Sequence, residues 1–404
     1  MNSRVVVVGG GIAGVSTVAA LRAGGFDGDL TLVDAGEFPY DRPPLSKDYL
    51  SGTVELKHIA LQPPQWYDNQ QVRLITGRTA SALRTGAGTL ELDDGSSLPA
   101  DRVVLATGGR AARPPIPGGD SPRMHVLRTA EDADRLRAAL QPGTRLLIVG
   151  AGLIGAEVAS TARQLGCEVV LVDPVAPPLA TAFGTEIAAW LHGLHETRGV
   201  TTVRGAVESF YGCGDAISVT LSCQEHTRSF DTAVLAVGMA ADTTIAEAAG
   251  LRVDRGIIVG PDHLTSNPAV LAVGDAARTC INGAMAHRSE HWEAAERDGQ
   301  RAAATILGTT APADTAPWFW TERHGVYVEV VGALNQADEI AVRGPLGQPP
   351  FSVFGLRAGH VIGAVSVDDS PAVRAARRLI DRDITVDGAQ LSDRGSDLRK
   401  LVRR

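Results

Sequence analysis

Two copies of the same glycine-rich turn constrain the fold of this chain more than any other feature of its sequence. The turns are Gly9-x-Gly11-x-x-Gly14 and Gly150-x-Gly152-x-x-Gly155. Each follows a short aliphatic run and precedes an apolar segment with helical composition. A strand, a turn and a helix in this order, followed by a second strand, make a βαβ unit of a parallel sheet. The repeat therefore predicts an α/β chain with two Rossmann-type domains.

An acidic residue ends the second strand of each unit. The predicted strands are 4–8 and 30–34 in the first unit and 145–149 and 168–173 in the second, with helices at 12–24 and 156–166. Asp34 and Asp173 stand where a carboxylate accepts hydrogen bonds from an adenosine ribose. The glycines let backbone N–H groups approach a pyrophosphate at the helix N-terminus. We interpret both turns as dinucleotide sites rather than as turns without a ligand.

The residues after Asp173 bear on which nicotinamide nucleotide binds. They are Pro174, Val175 and Ala176, with no arginine or lysine to meet a 2′-phosphate. Because a carboxylate repels that phosphate and accepts from a free ribose hydroxyl, we expect NADH rather than NADPH. Two dinucleotide sites in one chain predict one nucleotide that stays bound and one that exchanges. This combination indicates hydride transfer from a nicotinamide to a flavin.

The length of 404 residues predicts more than one domain. Segments rich in proline and glycine at 108–119 and 309–318 look like connections between domains. Alternating apolar and polar residues around 324–332 and 351–366 predict antiparallel strands, and 371–382 reads as a helix. The expected domains are a discontinuous FAD-binding domain (1–109 and 239–309), an NAD-binding domain (110–238) and a C-terminal α+β domain (310–404).

Charge and cysteine content narrow the class of protein. The net charge of −8 argues against a nucleic-acid partner. The four cysteines (Cys167, Cys213, Cys223 and Cys280) form no C-x-x-C pair and have no zinc-like spacing, so we expect no metal site and a reducing cytoplasm. The uncharged stretch between Arg4 and Arg22 is interpreted as strand, turn and helix, not as a signal peptide or membrane span.

Several short segments, in a fixed order along almost the whole chain, resemble one family. They are the segments 39–47 (PYDRPPLSK), 105–109 (LATGG), 127–129 (LRT), 131–133 (EDA), 155–157 (GAE), 272–275 (AVGD) and 318–320 (WFW). The chain resembles the FAD-dependent ferredoxin reductases of bacterial oxygenase systems. This resemblance implies a glutathione-reductase-like fold, FAD and NADH as cofactors, and a role in aromatic-hydrocarbon catabolism or in a cytochrome P450 system.

The resemblance also implies a set of FAD-binding residues. Ala13 and Asp34 would contact the pyrophosphate region and the adenosine ribose, Ala80 the adenine, Asp275 the ribityl chain and Trp292 the flavin ring. Arg42, Lys47 and Arg128 would lie along the FAD. The full expected set is Gly9, Gly11, Ala13, Gly14, Asp34, Arg42, Lys47, Ala80, Ala106, Thr107, Gly108, Arg128, Gly274, Asp275 and Trp292. Relatives often carry glutamine at the place of Asp298, so flavin packing there is expected to differ in detail.

The expected NAD-binding residues surround the second turn. They are Gly150, Gly152, Leu153, Ile154, Gly155, Glu157, Asp173 and Gly238. Lys47 and Glu157 are the expected catalytic pair: by resemblance Lys47 lies beside the reactive flavin edge, where it would stabilise negative charge, and Glu157 neutralises it. Taken singly, each is also consistent with an ordinary polar surface residue.

The sequence lacks a cysteine between residues 35 and 60, where disulfide reductases of this fold carry their reactive pair. Electrons are therefore expected to leave through a protein, a ferredoxin of the 2Fe-2S type, because a flavin accepts a hydride and releases electrons one at a time. Trp320 is equally consistent with a place near the flavin and with an ordinary core position. A small acidic acceptor needs a local basic patch, and the arginine-rich stretches at 110–113 and 374–382 are the candidates, although we interpret them as solvated surface.

Two alternative functions stay open at this point. One is reduction of a small organic acceptor such as a quinone or monodehydroascorbate, and the other is a flavoprotein sensor that responds to NADH. The chain is expected to act as a monomer or homodimer, away from membranes.

Overall fold

The computed structural model describes residues 3–213, 216–222 and 227–402. Its strands are, in chain order, Arg4–Val8 (β1), Asp29–Val33 (β2), Val72–Ile75 (β3), Ala80–Arg84 (β4), Thr89–Leu92 (β5), Ser97–Pro99 (β6), Arg102–Leu105 (β7), Gly109–Ala111 (β8), Met124–His125 (β9), Arg145–Val149 (β10), Glu168–Asp173 (β11), Thr201–Arg204 (β12), Val207–Cys213 (β13), Ala216–Leu221 (β14), Arg228–Phe230 (β15), Thr232–Leu235 (β16), Met239–Ala241 (β17), Ile257–Val259 (β18), Val270–Ala272 (β19), Ala277–Ile281 (β20), Ala284–Met285 (β21), Trp318–Arg323 (β22), Val326–Gly332 (β23), Glu339–Arg343 (β24), Phe351–Arg357 (β25) and His360–Val367 (β26).

The α-helices are Ile12–Ala23 (α1), Asp48–Ser51 (α2), Pro64–Asn69 (α3), Ala130–Ala139 (α4), Leu153–Gln164 (α5), Ala180–Phe183 (α6), Thr185–Thr197 (α7), Thr244–Ala248 (α8), Trp292–Leu307 (α9), Ser370–Asp381 (α10), Gly388–Ser392 (α11) and Leu398–Leu401 (α12). Single 3₁₀ turns lie at Pro43–Ser46, Leu56–Ile59, Gly274–Ala276 and Leu334–Gln336. Within the described ranges, none of these helices has both the length and the apolar character needed to cross a bilayer.

The chain divides into two compact units. Unit 1 comprises Met1–Arg42, Glu55–Arg110 and Met239–Ala313, and unit 2 comprises Pro43–Val54, Ala111–Gly238 and Asp314–Arg404. The short segment Pro43–Val54 therefore belongs to unit 2, although both of its chain neighbours belong to unit 1.

Unit 1 is built on a parallel sheet with the strand order β19-β7-β1-β2-β3. Strand β1 is central and buried on both faces. Val5 and Val7 pack into the cluster that includes α1 and α9, whereas Val6 and Val8 pack into the cluster on the other face, which includes β4 to β6 and α8. This explains the uninterrupted valine run, because a strand covered on both faces has no polar side. Strand β2 ends at Val33, so Asp34 follows the strand rather than closing it.

Unit 2 contains a second parallel sheet, with the order β12-β11-β10-β16-β9, and an antiparallel sheet, with the order β22-β23-β26-β25-β24. The antiparallel sheet buries one face against α10 and the other against α6 and α7. The alternation at 324–332 and 351–366 correctly predicted strands, which are β23, β25 and β26. The helix expected at 371–382 is α10. The strand that carries the 318–320 motif, β22, was not among those expected.

The third glycine of each turn permits a close approach between helix and strand. A Cβ atom built on Gly14 would lie 1.9 Å from the carbonyl oxygen of Gly9, and one built on Gly155 would lie 1.9 Å from that of Gly150. No relaxed structure accommodates such a contact, since the obstacle is backbone. The start of each helix can therefore pack on its turn only with glycine at these positions.

We expect Gly155→Ala to destabilise unit 2 by about 1–3 kcal/mol, the usual range for overpacking a well-packed site. Gly193→Ala is the matched control, because Gly193 lies inside α7 and a Cβ there meets no atom within 4 Å. Replacing that helical glycine should stabilise the protein by up to about 1 kcal/mol. Denaturant unfolding of both variants would measure the difference. Equal effects of the two substitutions would contradict this account of the turn.

Candidate functional site

The first glycine turn leads into α1, whose N-terminus has no side-chain cap. The N-cap residue is Gly11, which has no side chain and therefore cannot cap the backbone N–H groups of the first helical turn. Unpaired N–H groups and the positive end of the helix dipole suit a pyrophosphate. The local geometry therefore fits the phosphates of a dinucleotide.

Polar side chains of unit 1 converge on this turn. The Asp34 carboxylate lies so close that a Cβ on Gly10 would be 2.5 Å from Oδ2, and the Arg42 guanidinium so close that a Cβ on Gly11 would be 2.5 Å from Nη1. These two glycines thus leave room for a carboxylate on one side of the turn and a cation on the other. This is the charge arrangement that an adenosine ribose and a pyrophosphate require.

Other residues expected at the first site also lie in unit 1. Ala106 faces Gly9, since a Cβ on Gly9 would be 2.2 Å from the Ala106 carbonyl oxygen. The neighbouring Thr107 hydroxyl donates to the Asp242 carbonyl oxygen at 2.7 Å, and the Asp242 amide donates to the Gly108 carbonyl oxygen at 2.9 Å. These bonds fix the segment 106–108 beside the turn.

The segment at Gly274 closes the same region. A Cβ on Gly274 would lie 2.9 Å from the Cβ of Ala13, so the start of the 3₁₀ turn that contains Asp275 packs directly on the N-terminal turn of α1. Trp292 begins α9, and its indole Nε1 donates to Asp41 Oδ1 at 2.8 Å. The structure thus ties Trp292 to the 39–42 part of the motif through its side chain, in addition to any backbone contact with a cofactor.

Ala80 lies at the beginning of β4, in the small antiparallel sheet of unit 1. Two residues earlier, the Arg78 amide donates to the Asp34 carbonyl oxygen at 3.2 Å. This bond keeps the backbone near Ala80 close to the carboxylate expected to bind the ribose. The adenine contact of Ala80 stays a prediction.

The second turn has the same uncapped helix start, at Gly152. Here Asp173 is held in place by the backbone: Oδ2 accepts from the Ala151 amide at 2.7 Å and Oδ1 from the Val175 amide at 2.8 Å. A Cβ on Gly152 or on Gly238 would meet no atom within 4 Å, so both glycines border open space. The carboxylate is thus pre-oriented at the edge of a free surface.

Exposed apolar side chains lie along this second turn and the segments bonded to it. Ile154, Val175 and Val237 are 42%, 57% and 40% exposed. Large aliphatic side chains at this level of exposure are suited to cover a flat aromatic or ribose ring. Leu153, by contrast, packs against the core that α7 shares with the antiparallel sheet. The cradle fits a dinucleotide that binds from solvent.

Glu157 lies within α5 and is only 4% exposed. Its Oε2 accepts from the Ser46 hydroxyl at 2.5 Å and from Lys47 Nζ at 3.0 Å. Its Oε1 accepts from the Thr321 hydroxyl at 2.7 Å and from the Glu322 amide at 3.4 Å. A buried carboxylate must be paired to stay charged, and these donors from two distant segments do so.

The expected pair of Lys47 and Glu157 is therefore present as a salt bridge within unit 2. Neither is an ordinary surface residue, because the Lys47 side chain is only 17% exposed. Sequence reasoning did not identify Ser46 or Thr321 as partners. The adjacency of Ser46 to Lys47 was a usable signal; no sequence signal pointed to Thr321, which arrives from the antiparallel sheet.

Lys47 and Arg128, both expected along the FAD, belong to unit 2 rather than to the unit that carries the first turn. The Arg128 amide donates to Asp132 Oδ2 at 3.0 Å, next to the capping box that Thr129 and Asp132 form at the start of α4. Their contacts with FAD stay predictions.

Asp298, the position at which relatives often carry glutamine, lies on α9 in unit 1. Its Oδ2 accepts from the Gly274 amide at 3.1 Å, and its Oδ1 lies 3.5 Å from Nε2 of the buried His263. Burial raises the pKa of Asp298, although His263 and the Gly274 amide act in the opposite direction. Asp298 thus holds the backbone of the Gly274–Asp275 segment.

Comparison with known proteins decides the family. Residues 3–299 match the model described as pyridine nucleotide-disulphide oxidoreductase, and residues 318–402 match that described as reductase C-terminal. The chain belongs to the pyridine nucleotide-disulphide oxidoreductase family.

Its relatives within this family are similar over their full length. The ferredoxin reductase component of chlorobenzene dioxygenase from Cupriavidus sp. (strain PS12) is 35% identical over 100% of this chain and 98% of that protein. Putidaredoxin reductase of Pseudomonas putida is 34% identical, with 99% and 97% covered. The biphenyl dioxygenase system ferredoxin–NAD(+) reductase component of Paraburkholderia xenovorans (strain LB400) is 34% identical, with 100% and 99% covered.

Solved structures agree. The covalent putidaredoxin reductase–putidaredoxin complex matches with a TM-score of 0.91 and 32% identity, over 100% of this chain and 98% of that one. A ferredoxin reductase from Rhodopseudomonas palustris matches with a TM-score of 0.92 and 30% identity, over 99% and 100%. The resemblance and the fold expected from the sequence are confirmed. The chain is a flavoprotein oxidoreductase that uses FAD and NAD(H).

The raised pKa of Asp298 has a consequence for stability. Because the folded-state pKa lies above the unfolded value, which is about 4, ionisation favours the unfolded chain. The stability that the protonated carboxyl contributes is complete below the unfolded pKa and is lost as pH rises through the folded pKa. Asparagine keeps an acceptor for the Gly274 amide but cannot ionise. We expect Asp298→Asn to raise the melting temperature at pH 8 by roughly 2–4 °C, the shift that about 1 kcal/mol produces, with no gain at pH 4.

Asp101→Asn in the same unit provides a control of opposite sign. Hydrogen bonds from Arg4 lower the pKa of Asp101 to about 2. This substitution should therefore cost stability at pH 8, and the cost should shrink as the pH falls towards about 2. Thermal melts of the apoprotein across pH would test both. A pH-independent loss of stability in Asp298→Asn would contradict the assignment.

Proposed function

We propose that this chain oxidises NADH and passes the electrons, through FAD, to a small 2Fe-2S ferredoxin that serves an oxygenase. The oxygenase would be an aromatic-ring dioxygenase or a cytochrome P450. The observation that carries the proposal is full-length similarity to ferredoxin reductase components, in a chain whose two glycine turns both lead into uncapped helices.

The residue roles expected from the sequence become part of this proposal. Unit 1 offers the FAD cradle, with Asp34 for the adenosine ribose, Arg42 for the pyrophosphate and the Gly274–Asp275 segment for the ribityl chain. Unit 2 offers the NADH cradle, with Asp173 for the ribose and Gly152 and Gly238 bordering the free surface. The division into an FAD domain (1–109 and 239–309), an NAD domain (110–238) and a C-terminal domain (310–404) is also part of this proposal. The two separate parallel sheets and the antiparallel sheet support it, although Pro43–Val54 groups with unit 2.

The overall reaction balances without a protein-bound thiol. One NADH gives a hydride and leaves as NAD⁺, two ferredoxins each take one electron, and one proton is released. FAD supplies the conversion from a two-electron donor to one-electron acceptors when it is bound. The protein residues orient and hold the two nucleotides, and Lys47 with its partner Glu157 offers a fixed positive charge.

The family description names disulphide chemistry, but the cysteines of this chain favour a ferredoxin over a disulfide as the electron acceptor. Cys167 is a free, buried thiol whose pKa is raised by burial, and Cys280 is free and partly buried. Neither is near residues 35–60 in the sequence, and Cys223 lies outside the described residues. A buried thiol with a raised pKa is a poor nucleophile. We further propose a cytoplasmic protein, monomeric or homodimeric, without membrane or nucleic-acid partners.

A cytochrome c assay tests the acceptor. We expect NADH-dependent reduction of cytochrome c to rise more than about tenfold when a 2Fe-2S ferredoxin is added, because direct docking of cytochrome c lacks a specific fit. Ferricyanide, a small one-electron acceptor, should be reduced without ferredoxin and acts as the control for flavin reduction. Rapid reduction of a quinone with no effect of ferredoxin would instead support a small-molecule reductase. A long-lived reduced complex with altered oligomeric state would support a sensor.

Nucleotide preference tests the role of Asp173. We expect Asp173→Asn to lower kcat/KM for NADH by roughly tenfold, equivalent to about 1.4 kcal/mol, and to narrow the preference for NADH over NADPH, because the repelling charge is lost. Asp34→Asn is the matched control: it makes the same change at the first turn and should weaken FAD binding without altering the NADH/NADPH ratio. An unchanged ratio in Asp173→Asn would exclude this role.

A further inference from the structure

The buried carboxylate of Glu157 joins segments of unit 2 that are far apart in the chain. Oε2 receives hydrogen bonds from Ser46 and Lys47, which precede α2. Oε1 receives its short hydrogen bond from Thr321 of β22, 164 residues away. The two oxygens thus have different roles, because one faces the lysine and the other faces the antiparallel sheet.

The Thr321 hydroxyl is specialised for this contact. The residue is fully buried, so no solvent competes for its proton. The bond to Oε1 is 2.7 Å long, whereas the other donor to that oxygen, the Glu322 amide, is 3.4 Å away. A short hydrogen bond to a buried charged group is worth more than a neutral one. Thr321 is therefore the main anchor on that side of the carboxylate.

The face of β22 that carries Thr321 also carries a buried cation that interacts electrostatically with Glu157. Arg323 lies two residues further, so it shares this face, and it is only 3% exposed. Burial lowers the pKa of Arg323 to about 10, and Glu157 partly offsets the effect. Next to it, the His324 amide donates to the Ser160 hydroxyl at 2.7 Å, which fixes β22 on α5.

On the other side, the lysine segment is fixed to the same helix. The Thr161 hydroxyl donates to the Ser46 carbonyl oxygen at 2.8 Å. Helix α5 thus binds the backbone before Lys47 and the backbone of β22, and the Glu157 carboxylate lies between them. Rotation of that carboxylate would move the acceptor away from Lys47 Nζ.

We propose that Thr321 is a positioning residue for Lys47: it fixes the orientation of the Glu157 carboxylate, and the carboxylate fixes the ammonium group. This inference rests on the proposed function, in which Lys47 serves the hydride step. It adds to that function a part played by the C-terminal sheet, which supplies the hydroxyl that keeps the lysine in place.

Amine labelling of the oxidised holoenzyme tests the contact without NADH turnover and without ferredoxin. The chain has three lysines, Lys47, Lys57 and Lys400, and Lys57 is well exposed, which makes it an internal standard. In Thr321→Val, which removes the hydroxyl but keeps the shape, we expect the labelling rate of Lys47 relative to Lys57 to rise at least about fivefold, since a less firmly held ammonium exposes its free amine more often. Thr321→Ser should restore the slow rate.

Stopped-flow reduction of the holoenzyme by NADH is the second measurement. Thr321→Val should lower the limiting rate of flavin reduction about fivefold to tenfold and change the apparent Kd for NADH by less than about twofold, as expected for loss of positioning rather than of binding. Thr232→Val is the matched control. Thr232 is a buried threonine of β16 in the same unit, and its hydroxyl donates to the Arg123 carbonyl oxygen at 2.9 Å.

A double-substitution cycle separates positioning from general loss of structure. If Thr321 acts through Glu157, adding Thr321→Val to Glu157→Gln should change neither the labelling rate of Lys47 nor the limiting rate of flavin reduction any further. Independent, multiplicative effects, failure of Thr321→Ser to restore labelling, or an equal effect of Thr232→Val would each overturn the inference. If Thr321→Val does not fold, the same comparison is made between Thr321→Ala and Thr321→Ser.

Failure of the proposed function gives a different pattern. In that case ferredoxin would not be reduced, while the labelling ratios and the flavin reduction rates would still report on the Thr321 contact.

Discussion

The pairing of one buried carboxylate accounts for much of the organisation of unit 2. Glu157 lies inside the helix that follows the second glycine turn, where an unpaired charge would cost several kcal/mol. Its donors come from the lysine motif and from β22. The short segment Pro43–Val54 is therefore held within unit 2, and Leu50 adds to this by packing in the core beneath α4 and α5. Hydrogen bonds to Glu157 and the apolar packing of Leu50 thus both hold Pro43–Val54 in unit 2.

The two glycine turns share their local geometry but differ in what surrounds them. At the first turn a carboxylate and a guanidinium flank the glycines. At the second turn Asp173 is bonded to the turn itself, and the flanking side chains are exposed and aliphatic. A site lined by several polar groups can hold a nucleotide with many charge-assisted hydrogen bonds, whereas an apolar rim gives weaker, reversible binding. This difference agrees with one resident and one exchanging nucleotide.

The sequence predicted the elements whose signals are local. The β-branched run at 4–8, the glycine spacing and the acidic residue at the end of each second strand are all signals between neighbouring residues. The strands and helices of both βαβ units were found within a few residues of their expected bounds. Contacts made across the fold were not predictable in this way. Thr321 has no sequence pattern that marks it as a partner of Glu157, and the membership of Pro43–Val54 in unit 2 depends on packing with α4 and α5 rather than on its chain neighbours.

The departure at Asp298 illustrates how tertiary context decides the state of a single side chain. Nδ1 of the buried His263 lies 3.2 Å from the Ala272 carbonyl oxygen, which can only accept, so this contact holds the ring with Nε2 towards Asp298 Oδ1. Burial raises the pKa of the Asp298 carboxyl, whereas His263 and the Gly274 amide act in the opposite direction, and burial prevails. Because Oδ2 of the same carboxyl accepts from the Gly274 amide, the charge of one side chain on α9 is coupled to the backbone beside the first glycine turn. Glutamine, which cannot ionise, would meet these two partners through its amide group instead.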